Sequence, residues 1–204
     1  MRYLILPLLA LSMATAAAAP LNDKDTQTNT RYQESAAEKA AREFKETEIA
    51  LPPLPDTQSG DWFDVYVGEN YGKKPKILLD SLTIMPAPDT SIRYILNVQS
   101  TQGYDNLTAE GIFCARSSFS YNNDKRSSYK VFGYGDTVNS RWIQPRNADW
   151  KPLGQTLNRN DNLVRAALYH AFCVDGVPAS REALIQRLKE RAGNRNTSLM
   201  NHSK

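Results

Sequence analysis

The sequence has few of the residues from which enzymes and metal centres are built. Its 204 residues include only two cysteines, Cys114 and Cys173, and two histidines, His170 and His202. A zinc site that used the cysteines would need further Cys or His partners. The chain also lacks a Gly-x-Ser-x-Gly turn, a phosphate-binding glycine loop and a dinucleotide fingerprint. We therefore predict that the protein is not an enzyme and binds neither a metal nor a cofactor.

The remaining candidate catalytic groups are weak. His170 lies among apolar residues of a predicted helix, where a hydrogen-bonded structural histidine is more common than a catalytic one. Asp105 and Glu110 would suit acid–base catalysis as a pair, but any two acids among the 22 in the chain carry little information. The sequence thus offers no leading catalytic residue for the hypothesis that the protein is a hydrolase of the cell envelope.

A strong charge of one sign is also missing. The formal net charge is +3, which is too small to indicate a nucleic-acid partner. The charge is unevenly distributed, because residues 20–64 hold ten acids against five bases and residues 141–204 hold five acids against eleven bases. These ends would suit pairing with each other or with an oppositely charged neighbour, whereas a solvated surface is the simpler interpretation.

The first residues have the pattern of an export signal. Arg2 precedes an apolar run that reaches Leu11, and an alanine-rich stretch follows as far as Ala19. An uncleaved membrane anchor is disfavoured, because Pro7 interrupts the run and alanine is weakly apolar for a span of about 20 residues. We predict a signal peptide over residues 1–18, a periplasmic product, and no stable membrane insertion after cleavage.

The predicted export gives the cysteine count a meaning. Two cysteines in an exported chain most often form one disulfide, and Cys114 with Cys173 would close a loop of about 60 residues. On the chain-entropy account such a loop stabilises the fold by on the order of 4 kcal/mol. That is a large part of the ~5–15 kcal/mol typical of a domain. We predict this disulfide in preference to a metal site or free thiols.

Composition divides the rest of the chain into five segments. Residues 19–33 are polar and predict a flexible tether. Residues 34–50 contain strong helix formers and predict a helix with a shallow apolar face. The proline-rich residues 51–60 predict an extended linker. Residues 61–193 have the pattern of a folded domain, and residues 194–204 predict a disordered basic tail.

Within the domain, strand patterns are followed by helix patterns. Aromatic and β-branched stretches joined by turn residues predict five consecutive strands, at 62–67, 76–85, 91–99, 107–115 and 129–134. The alternation in the third stretch predicts one buried and one exposed face. Amphipathic stretches predict helices at 160–172 and 180–193, with Ser180 as the N-cap of the second. The fold class is therefore α+β: an antiparallel β-meander of about five strands with C-terminal helices packed on one face, preceded by an N-terminal helix.

Aromatic and basic side chains are interleaved in the second half of the domain. Such groups anchor protein interfaces or stack on sugars and bases, although large aromatics more often fill a core. An exported protein rarely meets nucleic acid, so a protein or the cell wall is the preferred partner. The predicted interaction surface consists of Phe119, Tyr121, Lys125, Arg126, Tyr129 and, from the N-terminal segment, Phe44.

Several stretches resemble the sequence of a known protein family, namely residues 62–68, 92–96, 106–114, Trp142 with Trp150, and 167–173. The most specific are Glu110-Gly111-Ile112 followed by Cys114, and a second cysteine at the end of a helix. Together they resemble the CNP-like family of small exported proteins of Gram-negative bacteria over about residues 50–175. The resemblance implies a non-enzymatic periplasmic factor that supports type IV pilus assembly or stability by binding a protein of the pilus machinery. The alternative is a cell-envelope module that binds peptidoglycan or another glycan.

Overall fold

The computed structural model describes residues 43–115, 127–153 and 163–193, all within one compact unit, Ala41–Lys204. These residues form one antiparallel sheet and two helices. The strands are β1 (Trp62–Asp64), β2 (Lys74–Ile84), β3 (Ile92–Gln99), β4 (Leu107–Phe113), β5 (Ser128–Asp136), β6 (Arg141–Ile143) and β7 (Lys151–Pro152). The helices are α1 (Leu163–Phe172) and α2 (Arg181–Ala192).

The sheet is a meander in which the first six strands pair in sequence order, and β7 pairs with β5. The predicted antiparallel sheet with two C-terminal helices is confirmed. The two short strands β6 and β7 are not among the predicted ones, because three and two residues carry too little periodicity to be recognised. Strand β1 is also shorter than predicted and ends at Asp64.

The main hydrophobic core lies between the sheet and the two helices. On β3 the side chains of Ile92, Tyr94 and Leu96 face this core, and from α1 Leu168 and Phe172 pack into it with no exposed surface. Burial of large apolar side chains is worth about 1.5–3 kcal/mol each, so this layer stabilises the fold strongly. We call this side of the sheet the helix face.

The second helix begins and docks through polar contacts. Ser180 has extended backbone angles, and its hydroxyl accepts a hydrogen bond from the Ala183 amide at 3.2 Å, which confirms the predicted N-cap. Arg181 donates to the Leu82 carbonyl at 3.1 Å and to the Leu79 carbonyl at 3.0 Å. The guanidinium thereby satisfies backbone groups of β2 where its pairing with β3 is irregular, between Leu78 and Thr83.

The disulfide joins the two layers. Cys114 directly follows β4 and Cys173 directly follows α1, and their Cα atoms lie 5.2 Å apart. The predicted pairing is confirmed, and with it the connection between the fourth strand and the end of the first C-terminal helix. Neither helix in the described ranges is long or apolar enough to cross a membrane.

The prediction that β3 has one exposed face is wrong. Arg93, Ile95 and Asn97 point away from the helices, yet their exposed fractions are 8%, 3% and 2%. The reason is that residues N-terminal to β1 cover this second face, as described below. Of the helix predicted within residues 34–50, the part 34–42 lies outside the described residues, and residues 43–50 contain no helix. The predicted signal peptide (1–18), tether (19–33) and tail (194–204) also lie outside them.

Candidate functional site

An N-terminal segment crosses the face of the sheet opposite the helices. Residues 43–55, here called the strap, run with neither helix nor turn, and the proline-rich linker predicted from the sequence forms their C-terminal part. At one end of the strap, the ring of Phe44 lies 4.4 Å from that of Phe113 and 5.1 Å from that of Trp150. Aromatic contacts of this kind add about 0.5–1.5 kcal/mol beyond their burial. We call this side of the sheet the strap face.

Two glycines of β5 make room for the strap. A β-carbon on Gly133 would lie 2.7 Å from Leu51 Cδ1, and one on Gly135 would lie 2.6 Å from Leu107 Cβ of β4 and 3.0 Å from Leu54 Cδ1. A larger residue at position 133 would force Leu51 to shift, since real β-carbons essentially never lie within 3.0 Å of another atom, and one at position 135 would meet both the neighbouring strand and the strap. The pattern Gly-x-Gly in β5 is therefore a packing surface for the strap.

Polar contacts hold the strap near both of its ends. Glu46 accepts from Lys130 Nζ at 2.7 Å and from Trp150 Nε1 at 2.6 Å. The Thr47 amide donates to Asp89 Oδ2 at 2.7 Å, and the Lys45 amide donates to the carbonyl of Pro88 at 3.2 Å. Further along, the Trp142 Nε1 group donates to the carbonyl of Pro52 at 2.7 Å. The strap is thus bonded at both of its ends.

A buried polar cluster lies beneath Thr47 of the strap. Asp89 has no exposed surface and accepts from Arg93 at 2.8 Å and from the Ser91 hydroxyl. Arg93 also donates to Ser91 Oγ at 2.9 Å, and its guanidinium carbon lies 3.9 Å from the centre of the Phe132 ring. Burial alone would raise the pKa of Asp89, but the hydrogen bonds from Ser91, Thr47 and Arg93 hold it below its usual value.

A second buried ion pair lies on the helix face. Glu110 is 1% exposed and binds Arg165 of α1 through two contacts, of 2.6 and 2.9 Å. It also accepts from the Thr108 hydroxyl at 2.9 Å and from Tyr94 Oη at 3.2 Å. Burial and the Glu110 charge raise the pKa of Tyr94 well above its usual value. Glu110 therefore has a structural partner that sequence reasoning did not identify.

A groove of about 910 Å³ lies between the strap and the sheet. Strap residues 46–52 line one side, and Ile95, Ala109 and Phe132 contribute apolar surface from the sheet. The rest of the lining comes from Asp80, Ser81 and Thr83 of β2, from residues 144, 145 and 148, and from Arg93, Tyr94, Glu110 and Lys130. Within the described ranges, no three His, Cys, Asp or Glu side chains are grouped so that they would hold a metal ion. The groove is thus a partly apolar cleft with a few polar groups, which is the common form of a binding site.

The structure places the predicted interaction residues in different locations. Phe44 is half-buried on the strap face, whereas Tyr129 is half-buried on the helix face with the Arg165 guanidinium 4.3 Å from its ring centre. Phe119, Tyr121, Lys125 and Arg126 lie outside the described residues. The groove residues were missed because they lie far apart in the sequence, although the proline run after Leu51 did indicate an extended segment.

Comparison with known proteins places the chain in a family. The model of the CNP1-like family matches residues 39–189. The chain is 67% identical to Cryptic neisserial protein 1 of Neisseria gonorrhoeae, and the alignment of 204 residues covers all of both chains. No solved structure matches this chain. The chain belongs to the CNP1-like family.

Proposed function

We propose that the protein is a non-enzymatic periplasmic factor that supports type IV pilus assembly or stability by binding a protein of the pilus machinery. More specifically, we propose that it corresponds to the neisserial pilus assembly factor TfpC, which it resembles. Membership of the CNP1-like family and the neisserial relative are consistent with this proposal. The observation that carries the binding role is the groove of about 910 Å³ between the strap and the sheet.

The charged groups in and under the groove favour binding over catalysis. Catalytic acids and bases must reach a substrate proton with a free donor or acceptor. Here Glu46 is paired with Lys130, Asp89 with Arg93, and Glu110 with Arg165. Each pair is already engaged within the fold, so these charges position the strap and the helix. What the groove offers to a ligand is shape, apolar surface, backbone groups and the rim carboxylates of Glu48 and Asp80.

Two observations support the periplasm as the compartment. The first is the signal-like pattern of residues 1–18. The second is the disulfide between Cys114 and Cys173, since structural disulfides persist in oxidising compartments and are rare in the cytosol. A secreted or periplasmic location accounts for both.

The alternative function is that of an envelope module that binds peptidoglycan or another glycan. Such a module needs aromatic rings that are open for stacking on sugars. The Nε1 groups of Trp142 and Trp150 are bonded to Pro52 and Glu46, and the Trp150 ring contacts Phe44. Both tryptophans thus help to hold the strap. Retention of the purified protein on isolated cell-wall sacculi would instead support the glycan alternative.

Deletion of the gene tests the proposed function directly. We expect a deletion strain to carry markedly fewer surface pili in electron micrographs, and the wild-type gene supplied in trans to restore their number. Vector alone is the control. A deletion strain with normal pili would contradict the proposal.

A further inference from the structure

The middle of the strap has unused backbone hydrogen-bonding groups. Within the described part of the chain, no residue bonds to the amides or carbonyls of residues 48–51, whereas Thr47 and Pro52 on either side are bonded. Residues 48–50 are exposed, and Ile49 has 51% of its surface accessible. An extended segment with free N–H and C=O groups is a template for pairing with another extended chain.

The sheet is irregular beside this stretch, at the part of β2 that lines the groove. The pairing of β2 with β3 is interrupted between Leu78 and Thr83, and the Ser81 hydroxyl accepts from the Ile95 amide at 2.7 Å in place of a strand partner. The side chains of Ile95 and Ala109 are buried at the bottom of the groove. The cleft therefore has an apolar base next to a non-helical stretch of backbone that has no hydrogen-bond partner within the described ranges.

The charge that remains unbalanced around the groove is negative. Its other charged residues are in the buried or half-buried pairs described above, which leaves Glu48 and Asp80 at the rim. Asp80 lies 3.2 Å from Arg181, but this pair is exposed to solvent, with side-chain exposures of 39% and 76% for Arg181 and Asp80. An exposed pair is worth only about 0–1 kcal/mol, so Asp80 remains available to a basic ligand.

We propose that the groove binds an extended segment of a partner protein that pairs with the backbone of strap residues 48–51. The segment alternates apolar side chains, which contact Ile49 and the groove base, with Lys or Arg side chains that face Glu48 and Asp80. This is β-strand addition onto the strap. The inference rests on the proposed function in taking the partner to be a protein, and it adds the surface and the chemistry of the bound segment.

Binding of defined peptides to the full chain is the first test. The probes are an end-blocked eight-residue peptide that alternates valine and lysine, its valine–glutamate counterpart, and the valine–lysine peptide with alternate amides N-methylated. We expect the valine–lysine peptide to bind at least tenfold more tightly than either control, as measured by fluorescence anisotropy. Equal affinity for all three, or no binding of any, would overturn the proposal.

Two proline substitutions test backbone pairing without removing a native hydrogen bond. Successive amides of an extended chain point to opposite sides, so only one of Ile49 and Ala50 directs its N–H toward the bound segment. We expect one of Ile49→Pro and Ala50→Pro to weaken valine–lysine peptide binding about threefold to tenfold, and the other to leave it unchanged. Ile49→Ala and Ala50→Ser are the side-chain controls, and thermal unfolding checks that each variant is folded. Equal effects of both prolines would overturn the proposed pairing.

Failure of this inference is distinguishable from failure of the proposed function. Lost pili in the deletion strain together with absent peptide binding would leave the function standing and remove only the groove as its surface. Sedimentation of the same variants tests whether a second copy of this chain occupies the groove instead of a partner protein. A wild-type dimer that either proline variant dissociates would assign the groove to a second copy of this chain and overturn the proposal.

Discussion

The Cδ1 atom of Leu51 lies 2.7 Å from the position that a β-carbon on Gly133 would occupy. This contact explains why a strand residue without a side chain is present in the middle of β5. It also shows how an N-terminal segment that contains no helix or strand of its own stays against the sheet. Close packing against the sheet holds the strap in place, in addition to the hydrogen bonds.

Replacement of Gly133 by alanine should therefore displace the strap. We expect Gly133→Ala to lower the free energy of unfolding by about 1–3 kcal/mol, the usual cost of overpacking. Gly72→Ala is the matched control, because its β-carbon would meet only the flexible Thr101 side chain at 3.3 Å. Urea unfolding monitored by tryptophan fluorescence measures both. Equal stability of the two variants would show that Leu51 does not depend on Gly133.

The disulfide should account for a large part of the stability. We expect Cys114→Ser to lose most of about 4 kcal/mol, because the unfolded chain regains the freedom of a long loop. The double variant Cys114→Ser with Cys173→Ser should be no worse than either single one, since the same bond is lost in each. Thiol labelling of the unfolded, unreduced protein provides a direct check. Two reactive thiols in protein extracted from cells without reductant would contradict the pairing.

Acid should destabilise the Asp89 cluster. The pKa of Asp89 is lowered in the folded protein, so its contribution is fully present above the unfolded aspartate value of about 3.9. That contribution is lost as the pH falls through the folded value, because protonated Asp89 no longer pairs with Arg93. We expect wild type to lose stability more steeply than Asp89→Asn as the pH falls below about 4.

Asp89→Asn should also lower the free energy of unfolding at neutral pH. Asp89→Asn leaves Arg93 buried without its counter-charge, for which we expect a loss of about 3–5 kcal/mol. The exposed Asp80→Asn is the control and should cost at most about 1 kcal/mol. Parallel pH profiles for wild type and Asp89→Asn would show that Asp89 does not carry the acid sensitivity.

The second buried pair should show strong coupling in a double-mutant cycle. Glu110→Gln alone leaves Arg165 as a buried charge without its partner, and Arg165→Met alone does the same to Glu110. Each single variant should therefore lower the free energy of unfolding by about 3–5 kcal/mol. The double variant should cost clearly less than the sum, because no buried charge remains unpaired. Thermal unfolding of all four proteins measures the coupling. Additive losses would indicate that the two side chains act independently.

The parts of the fold that were predictable depend on local pattern and on residue counts. The alternation around Ile92, Tyr94 and Leu96 predicts a strand with its core face, and two cysteines in an exported chain predict their own pairing. Ser180 predicts its helix start because an N-cap acts within one turn. In each case the deciding interaction lies close in sequence or has no competitor.

The strap and the groove were not predictable for the opposite reason. Residues 43–48 have the composition of a helix, but they contain none, and contacts of Phe44 and Glu46 with residues about 70 to 100 positions away hold them against the sheet. Glu110 and Arg165 are 55 residues apart, so nothing local indicates that they pair. Composition predicts the conformation that an isolated segment prefers, whereas contacts with the sheet determine its conformation in the folded protein.

Site-specific crosslinking in living cells tests the central claim, that the groove beside the strap binds a protein of the pilus machinery. A photoreactive amino acid replaces Ile49 at the groove, or Val138, which is 89% exposed between β5 and β6, as the control position. We expect the residue at position 49, and not the one at 138, to form an adduct that mass spectrometry identifies as a component of the type IV pilus machinery. No adduct at position 49, or the same adducts at both positions, would contradict the account.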